Sequence, residues 1–250
     1  PPFQGRVTER AAFAVYTPLW EKHMPQKIAV LGTGANGSCI AADLIAAGCD
    51  VVAIDQWPAH VEAMRAGGIR IAMRDKELHV PVRAYHLYDV CTFAAAFDVV
   101  LLAVKAYDTR WACELIEPHL APDGMLIGMQ NGMAAGVIAD VVGPARTLGC
   151  VVELSSEMFT PGFVRRNTEP GRTWVGLGTL GGGTETRLAE MQTLLAPVGK
   201  VEVKANVVAA KWSKLVVNAM CLGPFGMVGM TLDDGLKLAG MRELVIEIGE

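Results

Sequence analysis

The sequence predicts an α/β protein in which a doubly wound parallel sheet precedes an all-helical region. Short apolar stretches alternate with helix-like segments from residue 27 to residue 204, and strands that are apolar on both faces are typical of parallel sheets covered by helices. After Ala205 the apolar pattern has helical spacing only. We therefore expect two domains, at residues 26–205 and 206–250, preceded by an extension at residues 1–25.

The first elements have recognisable beginnings and ends. "KIAVL" predicts a strand at 27–31, and the small residues that follow predict a helix at 38–47. "DVVAI" predicts a second strand, and the next helix begins at Pro58 and ends before Gly67 and Gly68. Further elements are predicted as a β segment at 69–82, a buried strand at 99–104 and a helix at 111–120 that stops before a turn at 121–124.

The second half of the predicted sheet follows the same alternation. "MLIGM" predicts a strand that runs into the turn "QNGM", and later strands are expected at 146–151, 172–178 and 200–204. A helix is predicted at 188–195, after a flexible glycine turn. Because strands and helices alternate, we expect the sheet to be parallel.

Composition excludes several classes of protein. Hydrophobic residues make up 52% of the 250-residue chain and charged residues 19%, so we expect a large core rather than disorder. A net charge of −4 offers no basic surface for nucleic acid, and no apolar run approaches the roughly 18 residues that cross a membrane. Scattered cysteines without a CxxC pair, and histidines without ligand spacing, indicate a cytoplasmic protein with reduced thiols and no metal site.

A glycine-rich turn after the first strand predicts a dinucleotide site. Gly32, Gly34 and Gly37 form G-x-G-x-x-G between a strand and a helix. In a Rossmann fold the first glycine allows a tight turn, the second lets the backbone approach a pyrophosphate, and the third lets helix and strand pack closely. The alternative is a structural turn with no ligand. We expect NAD or NADP to contact this loop, which comprises Gly32, Thr33, Gly34, Ala35, Asn36 and Gly37.

Asp55 bears on the choice between the two cofactors. It ends the second predicted strand, 23 residues after Gly32, and that spacing suits a carboxylate that accepts hydrogen bonds from ribose hydroxyls. A carboxylate repels a 2′-phosphate, so it favours NADH over NADPH. Gln56 can hydrogen-bond a phosphate but brings no charge, and whether Arg65 or Arg70 reaches the site stays open. Asp55 could also be an ordinary aspartate at a strand end.

Two further turns are predicted at the carboxyl ends of strands, where doubly wound sheets bind ligands. Lys105 follows one strand in "AVKAYDT", and Asn131 precedes Gly132 in "GMQNGM". Each residue alone could belong to an ordinary loop. Their positions after successive strands favour a cleft shared with the glycine loop, so we expect both to contact the cofactor.

The stretch "KWSKLVVN" places three polar residues in an apolar helix. Lys211, Lys214 and Asn218 lie at spacings of three and four residues, so they share one helical face. This face is either the solvated edge of a packed helix or one wall of a reactive cleft. From the stretch alone, the solvated edge is the favoured interpretation.

Taken together, these segments resemble the ketopantoate reductase (2-dehydropantoate 2-reductase) family from about residue 27 to residue 250. The resemblance depends on "VLGTGANG", "VKAYDT", "QNGM" and "WSKLVVNA", in that order. It implies a Rossmann domain followed by an all-helical domain like that of 6-phosphogluconate dehydrogenases. It also implies reduction of the ketone of a 2-oxo acid by a nicotinamide cofactor, usually NADPH. Ketopantoate is the implied substrate, and its reduction to pantoate belongs to pantothenate and coenzyme A biosynthesis.

The resemblance also implies roles for individual residues. Lys214 would be the general acid that protonates the carbonyl oxygen, and Asn218 would help to position the substrate. Asn131 would lie near the nicotinamide ribose, and Lys105 would line the cofactor side of the cleft. Lys211 would then be a surface lysine, or a neighbour that adjusts Lys214.

The sequence departs from the family pattern in several places. Where the family has a second asparagine directly before a proline, Leu222 occupies the matching position, and Gly223 precedes Pro224. The family continues beyond Glu250 and there supplies a serine and a glutamate to the substrate site, so we expect the segment to belong to a longer chain. Glu247 resembles a recurring glutamate of the family, or is a solvated helix residue.

Alternative functions remain open from the sequence. An NAD-dependent D-2-hydroxy acid dehydrogenase of the same superfamily is favoured by Asp55 and Leu222. A β-hydroxyacid dehydrogenase also uses a Lys-x-x-x-Asn pair, but the "QNGM" turn argues against it. A non-catalytic nucleotide sensor is the alternative from another class. The expected partners are a small 2-oxo acid and a second copy of the chain in a homodimer, with no nucleic acid and no membrane.

Overall fold

A computed structural model describes residues 26–94, 96–181 and 185–250. The expected extension at residues 1–25 lies outside the described residues. Eight strands form the main sheet, in the order β12-β11-β8-β7-β6-β1-β2-β5. Their bounds are β1 Lys27–Leu31, β2 Asp50–Asp55, β5 Arg83–His86, β6 Phe97–Leu102, β7 Leu120–Gly128, β8 Thr147–Glu153, β11 Trp174–Thr179 and β12 Lys200–Val203.

Helices cover both faces of the main sheet. The helices before the carboxyl-terminal region are α1 Ala35–Ala46, α2 Pro58–Gly67, α3 Thr109–Ile116, α4 Ala135–Val142 and α5 Glu185–Leu195. Side chains of α1, α2 and α5 join one buried apolar cluster, and those of α3 and α4 join a second one. This is the doubly wound α/β arrangement that the sequence predicts. The sequence prediction missed α4, because it assigned no element between the turn "QNGM" and the strand expected at 146–151.

The strand order brings the predicted site residues to one edge. β1 pairs in parallel with β2 on one side and with β6 on the other, and β6 pairs in parallel with β7. Parallel strands end at the same edge of a sheet, and the connections from β1 and β6 leave in opposite directions. The turns after β1, β2, β6 and β7 therefore lie together at the topological switch point.

Part of the sheet is not parallel, and a second sheet was not expected. β8 and β11 pair antiparallel. A four-stranded sheet in the order β4-β3-β10-β9 packs on α1. Its strands are β3 Ile69–Ala72, β4 Glu77–Val80, β9 Ser156–Thr160 and β10 Phe163–Arg166. The sequence predicted one β segment at 69–82 and missed β9 and β10, because "SEMFT" and "FVRR" are too polar to resemble buried strands.

After β12 the chain is helical. The helices are α6 Val207–Val228, α7 Leu232–Gly235 and α8 Met241–Gly249. α6 packs on β8 and β11 through Val207, and a Cβ atom on Gly149 or Gly178 would lie within 2.6 Å of that side chain. The two glycines thus allow the beginning of α6 to lie directly on the sheet. No helix in the described part of the chain is long and apolar enough to span a membrane.

Candidate active site

The glycine loop has the geometry that its sequence pattern predicts. Gly32 has a φ angle of 92°, and a Cβ atom there would lie 2.6 Å from the Val104 amide nitrogen. A Cβ atom on Gly37 would lie 2.1 Å from the Gly32 carbonyl oxygen, so α1 packs tightly on the turn. At Gly34 a Cβ atom would meet nothing within 4 Å. The open space beside Gly34 and the unpaired amides at the start of α1 suit a pyrophosphate.

Asp55 is held in place at the end of β2. Its side chain is buried, with 7% of the residue exposed, and its Oδ1 accepts a 2.8 Å hydrogen bond from the Trp57 backbone amide. The hydroxyl of Thr33 lies 3.5 Å from Oδ2. Thr33 itself is fully buried, so its side chain supports the loop from behind and does not face the cavity.

A cavity of about 310 Å³ extends from the glycine loop to Asp55. Neither Arg65 nor Arg70 lines it. Arg65 forms ion pairs with Glu62 and Asp89, and Arg70 pairs with Glu77. Among the predicted cofactor residues, those lining the cavity are Gly32, Gly34, Ala35, Asn36, Gly37, Asp55, Gln56 and Lys105.

A buried histidine braces the glycine loop, which the sequence did not indicate. The His60 ring is fully buried, and its Nε2 donates a 2.8 Å hydrogen bond to the Thr33 carbonyl oxygen. Its Nδ1 accepts a 2.9 Å hydrogen bond from the Gly162 amide, in the turn between β9 and β10. Burial lowers the pKa of His60, while the hydrogen bond to Thr33 and the Asp55 carboxylate oppose that effect. A neutral ring therefore links the glycine loop to the second sheet.

A larger cleft of about 920 Å³ continues from the cofactor cavity. Its walls bring together the predicted residues that follow β6 and β7 and those of α6, which are Lys105, Asn131, Lys214 and Asn218. Lys105 and Asn131 are exposed, while Lys214 and Asn218 are half-buried. The two cavities share five lining residues, which are Asn36, Ala103, Val104, Lys105 and Ser156. A ligand can therefore reach from the glycine loop to the α6 lysine in one continuous space.

The interpretation of Lys211 as a surface lysine was wrong. Only 4% of Lys211 is exposed. Its Nζ donates hydrogen bonds of 2.7 Å to the Cys150 carbonyl oxygen and 3.1 Å to the Gln130 carbonyl oxygen. The interpretation of the whole stripe as a solvated edge, favoured from the stretch alone, fails at the buried Lys211, while Lys214 and Asn218 are half-buried and line the cleft. Sequence spacing could not separate these alternatives, since it gives a shared face but not what the face contacts.

Several cleft residues were not identified from sequence. Arg172, in the turn before β11, and Glu153, at the end of β8, line the large cleft. Ser156 donates a 2.5 Å hydrogen bond from its hydroxyl to the Asn36 side chain, and thus links β9 to the glycine loop. Leu222 also lines the cleft and is 66% exposed. Glu247 is exposed on α8 and does not line the cleft.

Comparisons with known proteins agree with this architecture. The model of the family described as ketopantoate reductase PanE/ApbA matches residues 28–179. A 2-dehydropantoate 2-reductase of Mesorhizobium japonicum is 29% identical, and the match covers 90% of this chain and 76% of that protein. A solved PanE/ApbA family ketopantoate reductase from Ralstonia eutropha JMP134 is 26% identical, with a TM-score of 0.75 over 88% of this chain and 70% of that one.

A solved structure of a differently named dehydrogenase has the same fold. The structure of a D-mandelate dehydrogenase with NADH and anilino(oxo)acetate gives a TM-score of 0.81 at 22% identity. The match covers 88% of this chain and 70% of that one. At this identity the likeness concerns the fold alone, so it does not identify a substrate.

Proposed function

Because the chain belongs to the ketopantoate reductase PanE/ApbA family, we propose that it reduces the ketone of a 2-oxo acid with a nicotinamide cofactor. The proposed substrate is ketopantoate, which is reduced to pantoate in pantothenate and coenzyme A biosynthesis. The observation that carries the proposal is the continuous space between the glycine loop and Lys214. A cofactor bound at that loop and a carbonyl compound beside Lys214 would share one cleft.

In the proposed reaction each of three cleft residues has a separate role. When bound, the reduced nicotinamide supplies a hydride to the carbonyl carbon. The Lys214 ammonium gives a proton to the carbonyl oxygen and stabilises its developing negative charge. Asn218, one turn further along α6, orients the substrate from the same wall, and Asn131 holds the region of the nicotinamide ribose. The product is a hydroxyl group, and Lys214 regains its proton from solvent.

We propose that the cofactor is NADH rather than NADPH. The buried Asp55 carboxylate is fixed by the Trp57 amide and suits the two ribose hydroxyls. Arg65 and Arg70 are engaged by carboxylates elsewhere. Because none of the arginines among the described residues lines the cavity at Asp55, a 2′-phosphate there would face a carboxylate with no guanidinium from this part of the chain to balance it.

The charges of the cleft suit an acid substrate. Among the residues that the structure describes, Lys105, Arg172 and Lys214 line it, against one carboxylate, that of Glu153. Leu222 adds an exposed apolar side chain on the α6 wall. This apolar contact favours a second candidate, an NAD-dependent D-2-hydroxy acid dehydrogenase whose substrate carries an apolar side chain in place of the hydroxyl of ketopantoate.

Steady-state kinetics would test these proposals. NADH and NADPH oxidation is measured with ketopantoate and with 2-oxo-3-methylbutanoate, which lacks the hydroxymethyl group of ketopantoate. We expect turnover with NADH, and a loss of at least a hundredfold in kcat for Lys214→Ala. Lys237→Ala is the matched control, because Lys237 forms an exposed ion pair with Asp234 outside the cleft. Binding of NADH without turnover of either acid by the wild type would favour the nucleotide sensor.

A homodimer is also proposed. The outer faces of α6 and α8 carry exposed apolar side chains, including Trp212 at 55% and Ile246 at 57% exposure, and surfaces of this kind usually become buried in assemblies. Sedimentation velocity over a range of concentrations would measure the mass. A monomer at every concentration would contradict the proposal.

A further inference from the structure

One face of α6 is buried at the beginning of the helix and borders the cleft further along. Val207, Lys211, Lys214 and Asn218 lie on this face, at spacings of four, three and four residues. Val207 is fully buried against the main sheet, and Lys211 is buried one turn later. Lys214 and Asn218 then reach the cleft. The buried part of the face thus determines where the exposed part lies.

Lys211 hydrogen-bonds both to β8 and to the segment that follows β7. The pairing of β7 with β8 ends at Gly128 and Gly149. Directly beyond it, the Lys211 ammonium donates to the carbonyl oxygen of Gln130 on one chain segment and to that of Cys150 on the other. Gln130 is the neighbour of Asn131, so Lys211 contacts the backbone beside a predicted cofactor residue.

Lys211 and Lys214 also line the same small cavity. A cavity of about 10 Å³ is lined by both lysines together with Gln130 and Asn131. A shift of the Gln130 backbone relative to α6 would therefore change the separation of Lys214 and Asn131. The described residues contain no carboxylate hydrogen-bonded to Lys211, so backbone carbonyls alone hold its charge.

We propose that Lys211 is a positioning residue that fixes α6 against the end of β7 and so holds Lys214 opposite the nicotinamide site. The proposal rests on the reductase function proposed above. Its physical basis is that two charge-assisted hydrogen bonds fix distance and direction, whereas apolar packing of Val207 alone would allow α6 to slide or rotate. Burying an ammonium without an anionic partner is unfavourable, and burial lowers the pKa of Lys211.

The experiment compares Lys211→Met, Lys211→Arg and Lys211→Gln with the wild type in the full chain. Met preserves length and apolar packing but removes the donors, while Arg keeps a charged donor. NADH affinity is measured by the quenching of tryptophan fluorescence. The folded fraction is measured separately, from the tryptophan emission spectrum of each variant without NADH. The deuterium isotope effect on kcat is measured with NADH labelled on the transferred C4 position. Lys237→Met serves as the control.

For Lys211→Met we expect kcat to fall about 10- to 100-fold per folded molecule, because small misplacements of a reacting group have effects of this size. The dissociation constant for NADH should stay within about twofold, and the isotope effect should rise as hydride transfer becomes rate-limiting. Lys211→Arg should recover part of kcat. A lysine that only stabilises the fold would lower the folded fraction and leave the isotope effect unchanged.

Two outcomes would overturn the proposal. One is an unchanged kcat and isotope effect in every Lys211 variant that folds, when Lys214→Ala is inactive. The other is that Lys211→Met does not fold while Lys211→Gln and Lys211→Arg fold and turn over like the wild type. If Lys214→Ala keeps full activity, the proposed general acid is wrong instead, so the two failures are distinguishable.

Discussion

Asp55 allows the most direct test at the scale of a single residue. Asp55→Asn keeps the size of the side chain and removes its charge, so a 2′-phosphate is no longer repelled. We expect the ratio of kcat/KM for NADH to that for NADPH to fall about tenfold, which corresponds to about 1.4 kcal/mol. Asp50→Asn, at the other end of β2 and outside the cofactor cavity, is the control. An unchanged ratio would show that Asp55 does not discriminate between the cofactors.

Arg172 provides a second residue-scale prediction. Its exposed guanidinium lines the large cleft, where it can pair with the carboxylate of a 2-oxo acid. Arg172→Ala should raise KM for the acid about tenfold or more and change kcat less, since the carboxylate charge does not change during the reaction. Arg165→Ala tests a similarly exposed arginine that pairs with Glu157 outside the cleft. Equal kinetics for both variants would leave Arg172 without a role in binding.

Individual residues also show how far sequence reasoning can reach. Gly32 and Gly37 were predictable, because a close approach of backbone requires glycine whatever the rest of the fold does. Spacing alone could not separate Lys211 from Lys214, because both are lysines on one helical face, and the family resemblance, which did separate them, left Lys211 as a surface lysine or a neighbour of Lys214. Their difference arises from β7 and β8, whose distance along the chain from α6 hides the contact.

At the scale of elements, the link between α2, the glycine loop and the β9–β10 turn depends on a neutral His60. Protonation would place an N–H group on Nδ1, facing the Gly162 amide that now donates to it. The pKa of His60 is lowered in the folded protein. Below about pH 6.5 the unfolded chain therefore binds a proton that the folded chain does not. The stability that a neutral His60 contributes is complete above this pH and is lost as the pH falls toward the folded pKa.

This argument predicts the effect of His60→Gln on the pH dependence of unfolding. Urea unfolding at pH 7.5, 6.5 and 5.5 should show a loss of stability toward acid in the wild type, and a smaller loss in His60→Gln. The variant should be less stable at pH 7.5, because its amide does not reproduce both hydrogen bonds. His79→Gln removes an exposed histidine and serves as the control. Parallel pH curves for wild type and His60→Gln would contradict the prediction.

The second sheet shows why whole elements escaped prediction. Arg166 on β10 is fully buried, with a 2.6 Å ion pair to Asp43 of α1 and further hydrogen bonds to Thr168, Thr173 and Val198. Burial raises the pKa of Asp43, although the Arg166 charge and hydrogen bond oppose it. A sequence pattern assigns arginine to the surface, so a strand that buries one is misread. By contrast, β1, α1 and β2 were predicted correctly, because their apolar strands and the glycine loop between them form recognisable sequence patterns.

At the scale of the whole molecule, the cleft depends on the way the beginning of α6 packs directly on β8 and β11 of the main sheet. The domain boundary proposed near residue 205 falls between β12 and α6, and the contact across it is unusually close. A Cβ atom on Gly149 would lie 2.6 Å from Val207 Cγ1 and 3.1 Å from Val207 Cγ2, with the next nearest atom, on Leu180, at 3.4 Å. The position of Lys214 over the cleft thus depends on a glycine more than sixty residues away.

A double-mutant cycle at this contact tests the dependence. Gly149→Ala should lower the free energy of unfolding by about 1–3 kcal/mol, because the added methyl group forces α6 outward. It should also lower kcat, since Lys214 moves with the helix. Val207→Ala should lower stability too, through lost burial, but it removes the atom that the new methyl group meets. The double variant should therefore be more stable and more active than the sum of the single effects predicts. Strict additivity of both stability and kcat would mean that this contact does not set the position of α6.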